Sequence, residues 1–424
     1  MRSFEELAKY SGIKNLPEGL DQLYSPELHG SDQPLISQAL LESISVKYDL
    51  DSKDLEPIKT TLALIEGDEE LLHLTKFLVQ DMCSSRNRCD IDNYNNMNPT
   101  CLKENGEVYS LILLLSCIEP SMAMLKERGV PEEHYSGIPD RALASQMKKL
   151  KASADVKVAD FPWDMNFYTC AIFLFDRFLF IPYRFGDAFN MYRNKSTGQV
   201  VALHHKGQLI RRDGQFDGIN DVFDEKGRIE TTWQENEQSI TAYPINPMGF
   251  VERSTIELNK DEWAEVLKKD ELLLAWHIPS GPGYTPERLK TSMSLALDFY
   301  RKYFPEMAIK GFWSESWLYD TRLSLMLKES SNIVQMQRQF YIYPIEESDA
   351  MLRYELYGSE KADPTKVELK TSLQKKAADY MASGKRFNTL SMILLSEEVA
   401  MIGDNPYITE VDIQHFHQVV DQHI

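Results

Sequence analysis

The sequence of 424 residues contains few cysteines, and they show no pairing pattern. None of them forms a Cys-x-x-Cys pair, and their odd number is typical of reduced intracellular thiols rather than of a disulfide framework. No Cys, His and carboxylate cluster has the spacing of metal ligands either, so the sequence predicts no metal site. The cysteines are Cys83, Cys89, Cys101, Cys117 and Cys170.

Positive charge and long apolar runs are also scarce. The chain has 46 Lys and Arg against 65 Asp and Glu, a net charge of −19. This balance argues against general binding to nucleic acid or to anionic membranes, which requires basic surface. The apolar run at residues 111–118 is far too short to cross a bilayer. The first residues lack the apolar core of a signal sequence. We therefore expect a cytoplasmic protein without nucleic-acid or membrane partners, and the sequence leaves its oligomeric state open.

The hydrophobic pattern divides the chain into two regions. A helical period predicts an all-helical N-terminal domain over residues 1–176, followed by a strand-rich domain over residues 177–424 with extra C-terminal helices. The fold class is therefore α+β. Predicted helices are 56–82, 106–128, 139–152, 163–176, 261–268, 317–327 and 369–383, and residues 84–105 are expected to form a mobile loop. Predicted strands are 178–185, 189–193, 200–204, 229–233, 239–243, 251–258, 272–278, 309–313 and 334–343.

Residues 271–304 carry the strongest functional signal, because a buried strand, a glycine loop and a helix follow one another there. Thr285 suits the N-cap of the helix and Pro286 suits its first position. Gly281 and Gly283 would let backbone N–H groups approach an anion at the positive end of the helix dipole, and a diphosphate fits best. Most such turns serve only to reverse the chain, and that interpretation stays open here.

A second strand–helix junction, at residues 311–320, could lie beside the first. If the two strands are neighbours and parallel, their carboxyl ends meet, and ligands bind at such ends. His277 and Ser280 would then lie near Glu315, Ser316 and Tyr319. The alternative is that Ser316 only caps the next helix, while Glu315 and Tyr319 belong to the rim and the core.

The amino-acid sequences of these and other segments resemble those of one bacterial family. The matching segments are His277 to Thr285, Ser316-Trp317-Leu318, Ser331-Asn332-Ile333, Thr371-Ser372-Leu373-Gln374, Asn246-Pro247-Met248-Gly249-Phe250 and Gly137-Ile138-Pro139. The chain is similar to acyltransferases that join a helical N-terminal domain to a C-terminal domain like that of the GNAT acyl-CoA N-acyltransferases.

The resemblance implies that acetyl-CoA or another acyl-CoA is the co-substrate. It places the CoA pyrophosphate on the backbone of the glycine loop, and it places the pantetheine arm along the preceding strand. The implied cofactor-binding residues are Trp276, His277, Ile278, Ser280, Gly281, Gly283, Tyr284 and Thr285. In this chain Pro282 removes one amide donor from the loop.

The chemistry of acyl transfer to a small amine suggests roles for the residues at the second junction. Glu315 or His277 could act as the base, and Tyr319 or Ser316 could protonate the leaving thiolate. The alternative is a non-catalytic protein that binds CoA, another small ligand or a partner on a degenerate acyltransferase fold. A hydrolase using Ser316 with His277 is a weaker hypothesis, because no residue is available to orient the histidine.

Overall fold

The structure is a computed structural model of the full chain, and it describes residues 2–25, 33–84, 94–153 and 155–420. The chain forms two compact units, Met1–Leu174 and Phe175–Ile424. The sequence placed the domain boundary two residues later, after residue 176. Residues 85–93 of the loop expected at 84–105 lie outside the described residues, and so does Cys89, while its end belongs to a 3-10 helix, Thr100–Val108.

The first unit is helical, as the sequence predicted. Its α-helices are α1 Phe4–Ser11, α2 Leu20–Leu23, α3 Gln38–Tyr48, α4 Glu56–Glu66, α5 Glu69–Met82, α6 Tyr109–Glu127, α7 Asp140–Ser153 and α8 Phe161–Tyr168. The single helix expected over 56–82 is two helices. Asp68 interrupts it because its carboxylate accepts hydrogen bonds from the N–H groups of Glu70 and Leu71 and caps α5. The helix expected over 163–176 is wrong beyond Tyr168, where an extended segment follows.

The segment Thr100–Glu127, which contains α6, is longer and more apolar than the sequence run suggested. It joins a 3-10 helix, Thr100–Val108, to α6, and among the described residues it is the helical stretch long and apolar enough to cross a membrane by length and composition. Its most apolar window is 72% buried inside the protein, as in the core helix of a globular domain.

The second unit is built mainly from β-strands. The strands are β1 Phe173–Phe175, which straddles the unit boundary, β2 Phe178–Arg184, β3 Phe189–Asn194, β4 Val200–His204, β5 Leu209–Ile210, β6 Ile229–Glu230, β7 Trp233–Glu235, β8 Ser239–Ala242, β9 Pro244–Asn246, β10 Phe250–Val251, β11 Ile256–Asn259, β12 Trp263–Leu267, β13 Leu272–His277, β14 Ile309–Ser316, β15 Tyr341–Pro344 and β16 Leu390–Leu395. Its α-helices are α9 Pro286–Tyr303, α10 Asn332–Gln337, α11 Ala350–Tyr357, α12 Ser372–Ala382 and α13 Glu410–Val420.

A mixed six-stranded sheet of order β1-β2-β13-β14-β16-β15 organises this unit. A five-stranded sheet of order β10-β9-β4-β3-β12 lies against it, and the main core forms between them. Leu273 and Ile393 of the larger sheet pack there with Met191 and Ala202 of the smaller one. The α+β class predicted from the sequence is thus confirmed.

Three other predicted elements are wrong. Residues 261–268 form strand β12, because the segment pairs antiparallel with β3 instead of coiling. Residues 317–327 form two short 3-10 helices, Trp317–Tyr319 and Thr321–Leu325, separated by Asp320. The strand expected over 334–343 begins as α10, which Ser331 caps, and becomes extended only at β15.

Candidate acyl-CoA cleft

Strands β13 and β14 are parallel neighbours, which is the condition for their carboxyl ends to meet. Their register runs from Leu272–Ile309 to Ala275–Trp313 and ends there. Each strand continues beyond that point on its outer side, where His277 still pairs with β2 and Ser316 still pairs with β16. The two strands therefore separate at their carboxyl ends, which leaves an opening between β13 and β14.

A cleft of about 400 Å³ fills this opening. Its lining residues come from the end of β13, the glycine loop, the end of β14 and the exposed side of α11. They are Trp276, His277, Ile278, Pro279, Ser280, Gly281, Tyr284, Ser314, Glu315, Ser316, Trp317, Leu318, Met351 and Glu355. The cleft thus brings together most of the residues that the sequence singled out. Gly283, Thr285 and Tyr319 do not line it.

The glycine loop leads into α9 as the sequence predicted. The Thr285 hydroxyl accepts a hydrogen bond from the Arg288 N–H, and Pro286 is the first residue of the helix. Gly281 and Gly283 have φ angles of 109° and 99°, in the region that favours glycine. The Glu287 carboxylate lies at the helix start, and hydrogen bonds from its own N–H and from Thr285 lower its pKa. A carboxylate at this position disfavours a second anion at the first turn of α9.

The candidate bases lie on one face of the sheet. Ala275 and Trp313 are opposite each other, and side chains two residues apart point to the same side of a strand. His277 and Glu315 therefore share a face, while Trp276 and Ser316 belong to the other. Ser316 has a structural role, because its hydroxyl accepts a hydrogen bond of 3.2 Å from the Leu318 N–H and caps the 3-10 helix.

His277 is neutral at physiological pH. Burial lowers the pKa of its imidazole from 6.5 to about 4. A neutral imidazole places no positive charge in the cleft, and it can still accept a proton. Both charged side chains of the lining, Glu315 and Glu355, are acidic and exposed. The open cleft therefore carries negative charge.

Tyr319 lies in the core rather than on the cleft wall. Its side chain is fully buried, and its ring contacts those of Trp276 and Phe340. Burial raises its pKa. The Tyr284 ring lies nearly parallel to that of Trp276, with 6.4 Å between the ring centroids. This position does not suit the expected role of Tyr319 as the acid for a thiolate in the cleft.

Sequence reasoning missed three features of the site. Arg177 binds the glycine loop from behind, with its Nε donating to Pro282 O at 2.7 Å and Nη2 to Gly281 O at 3.0 Å. Met351 and Glu355 reach the cleft from α11, which was not predicted. No local pattern marks any of them, because each acts on a segment distant in sequence. Among the described residues, no group of three or more His, Cys, Asp or Glu is arranged to hold a metal.

Known proteins share the fold of this chain. Residues 200–394 match the family of GNAT-like C-terminal domains. One similar solved structure is an acyltransferase in complex with decanoyl-CoA, with a TM-score of 0.51 and 13% sequence identity over 93% of this chain and 99% of that one. Another is an acyltransferase mutant in complex with octanoyl-CoA, with a TM-score of 0.50, 13% identity and the same two coverages of 93% and 99%. No curated protein matches the chain by sequence.

The family match and the likeness to solved structures are both consistent with the cleft described above. The family match spans β4 to β16 and so includes the separated strands, the glycine loop and α9. The solved structures extend the likeness to nearly the whole chain, helical unit included. Residues 200–394 of this chain therefore match GNAT-like C-terminal domains, and the chain has the fold of these solved acyltransferases.

Proposed function

We propose that the protein is an acyl-CoA-dependent acyltransferase that transfers an acyl group to the amine of a small molecule. The separation of β13 and β14 beside the glycine loop carries this proposal. The register between β13 and β14 ends at Ala275, so the two strands diverge beside the cleft, and we place the extended pantetheine arm between their ends. The glycine loop then contacts the diphosphate of the acyl-CoA.

The acyl donor is supported by the solved structures with the same fold, which hold octanoyl-CoA and decanoyl-CoA. We accordingly propose a medium-chain acyl-CoA as the donor to test first, with acetyl-CoA as the short-chain comparison. The protein is proposed to work in the cytoplasm, because its reduced cysteines and acidic surface fit that compartment.

The charge of the cleft supports an amine as the acceptor. Glu315 and Glu355 would attract an ammonium group, and the neutral, half-buried His277 would not repel it. Once the ammonium loses its proton to Glu315, the free amine attacks the thioester carbonyl and forms the C–N bond. The C–S bond then breaks, and the departing CoA thiolate takes up the proton that the new amide nitrogen loses. Holding both substrates in the narrow opening supplies much of the rate enhancement. His277 shares the face of Glu315 and can orient the same amine.

The decisive experiment combines binding with turnover. Octanoyl-CoA is titrated into the full chain by calorimetry, and release of free CoA thiol is followed with a panel of primary amines. We expect saturable binding with a dissociation constant below about 1 mM and amine-dependent thiol release. Absence of binding would contradict the proposal. Binding without thiol release from any amine would instead favour a non-catalytic CoA-binding protein.

A further inference from the structure

The turn between β1 and β2 reaches the back of the glycine loop through one side chain. The Arg177 guanidinium donates hydrogen bonds to the carbonyl oxygens of Pro279, Gly281 and Pro282. The missing side chain of Gly283 leaves room for this contact, since a Cβ there would lie 3.3 Å from Arg177 Cδ. Arg177 does not line the cleft. Its contacts are with the carbonyl oxygens of the loop and not with the cleft.

The turn itself is anchored on α9. The Arg177 N–H donates to the Ser292 hydroxyl at 3.2 Å, and the neighbouring Asp176 accepts two hydrogen bonds from Arg288. The guanidinium also lies 5.5 Å from the centre of the Phe178 ring. These contacts fix Arg177 relative to the start of α9. The side chain is thus a rigid support rather than a flexible surface group.

Because Arg177 fixes the directions of these carbonyl groups, it also fixes the directions of the N–H groups that follow them in the loop. No peptide bond in the described chain is cis, and in a planar trans peptide the C=O and the following N–H point in opposite directions. The Pro279 carbonyl faces Arg177, so the Ser280 N–H faces away from it. The Pro282 carbonyl does the same for the Gly283 N–H. The Gly281 carbonyl precedes Pro282, which has no N–H to offer.

We propose that Arg177 is the positioning residue of a diphosphate site, where it turns the Ser280 and Gly283 N–H groups toward the diphosphate of the acyl-CoA. All three acceptors of its guanidinium are neutral carbonyl oxygens, so its positive charge also attracts the anion across the loop. Pro282 lacks a donor but offers a carbonyl, and that carbonyl is what Arg177 binds. The inference rests on the proposed acyl-CoA-dependent function.

Lysine cannot replace this arginine. One ammonium on a flexible stem does not present the planar fork that binds several carbonyl oxygens in fixed directions. Arg177→Lys keeps the charge and loses the geometry, whereas Arg177→Met loses both. Arg301→Met is the matched control, because Arg301 lies on the same unit at the far end of α9 and pairs with the exposed Asp298.

The test compares octanoyl-CoA with octanoyl-pantetheine, which lacks the diphosphate and the adenosine 3′-phosphate attached to it. Octanoyl-CoA and octanoyl-pantetheine are each titrated by calorimetry into the wild-type chain and the three variants, and melting temperatures verify folding. We expect Arg177→Met to weaken octanoyl-CoA binding by about 10- to 100-fold, the loss of one or more charge-assisted contacts, and Arg177→Lys by about tenfold. Octanoyl-pantetheine binding should stay within about twofold in every variant, and Arg301→Met should match wild type for both ligands.

Each other outcome has a distinct meaning. The inference is overturned if Arg177→Met binds octanoyl-CoA as wild type does, if Arg177→Lys restores full affinity, or if both ligands lose affinity equally. The last result would indicate a general structural role for Arg177. Wild-type protein that binds neither ligand would instead contradict the proposed function itself. If Arg177→Met does not fold, Arg177→Lys alone decides whether binding requires the planar guanidinium or only a positive charge.

Discussion

Replacing Glu315 by glutamine should abolish most of the acyl transfer without affecting the fold. Glu315 is exposed on the cleft wall and shares a sheet face with His277, so the substitution removes one negative charge and one proton acceptor at nearly constant shape. A general base contributes roughly 100- to 10,000-fold to a rate. This corresponds to about 2.7–5.5 kcal/mol in activation free energy.

The assay follows CoA thiol release from octanoyl-CoA with the best amine of the panel. We expect Glu315→Gln to lower kcat by at least about 100-fold. The free energy of unfolding should change by no more than about 0.5 kcal/mol, as for other exposed sites. Glu257→Gln is the control, since Glu257 is an exposed strand glutamate of the same unit outside the cleft. A Glu315→Gln variant with more than about a tenth of wild-type kcat would refute the assignment of Glu315 as the base.

Three further predictions concern stability. Gly311→Ala should lower the free energy of unfolding by about 2–4 kcal/mol in urea titrations, because the new Cβ would lie 2.4 Å from Leu394 O of the paired strand. Gly186→Ala, with open space around it, should have no such cost. Asp68→Ala should lower the melting temperature through loss of about 1–2 kcal/mol of capping, and an unchanged value would contradict the cap. Burial lowers the pKa of His204 from 6.5 to about 4. The unfolded chain therefore takes up this proton first, and the unfolding free energy should fall by up to about 3 kcal/mol as pH drops from 6.5 to 4, a loss that His204→Asn should remove.

Local signals in the sequence were sufficient for the central strand–loop–helix segment. Thr285 and Pro286 mark the start of α9 through cap and first-position chemistry that depends only on neighbouring residues. The apolar run of β13 has strand length and is buried on both sides by its neighbours. The pairing of β13 with β14 followed from the same pattern, because a crossover helix joins parallel strands.

Long-range pairing decided the elements that sequence reasoning missed. The segment Trp263–Leu267 has apolar residues that fit a helix or a strand, and only its ladder with β3 selects the strand. Arg177 acts on carbonyls 102 to 105 residues further along the chain, so no short motif could reveal it. The position of Tyr319 in the core likewise depends on Trp276 and Phe340, which come from distant elements.

Several of the motifs that carry the family resemblance serve the fold rather than the chemistry. Thr371 and Gln374 form a capping box for α12, Ser331 caps α10, and Gly249 adopts a φ of 86° in a turn against Leu390. A resemblance through such positions identifies the architecture, and it leaves the acceptor undetermined.

Acceptor choice must therefore depend on the part of the cleft that this architecture leaves variable. The ends of β13 and β14 are constrained by their outer strands, and the glycine loop is held by Arg177. Met351 and Glu355 are exposed on α11, where their side chains contact the cleft without supporting the sheet. Changes there can reshape the opening and alter its charge at little cost in stability. This helix is consequently the element through which one CoA site could serve different amines.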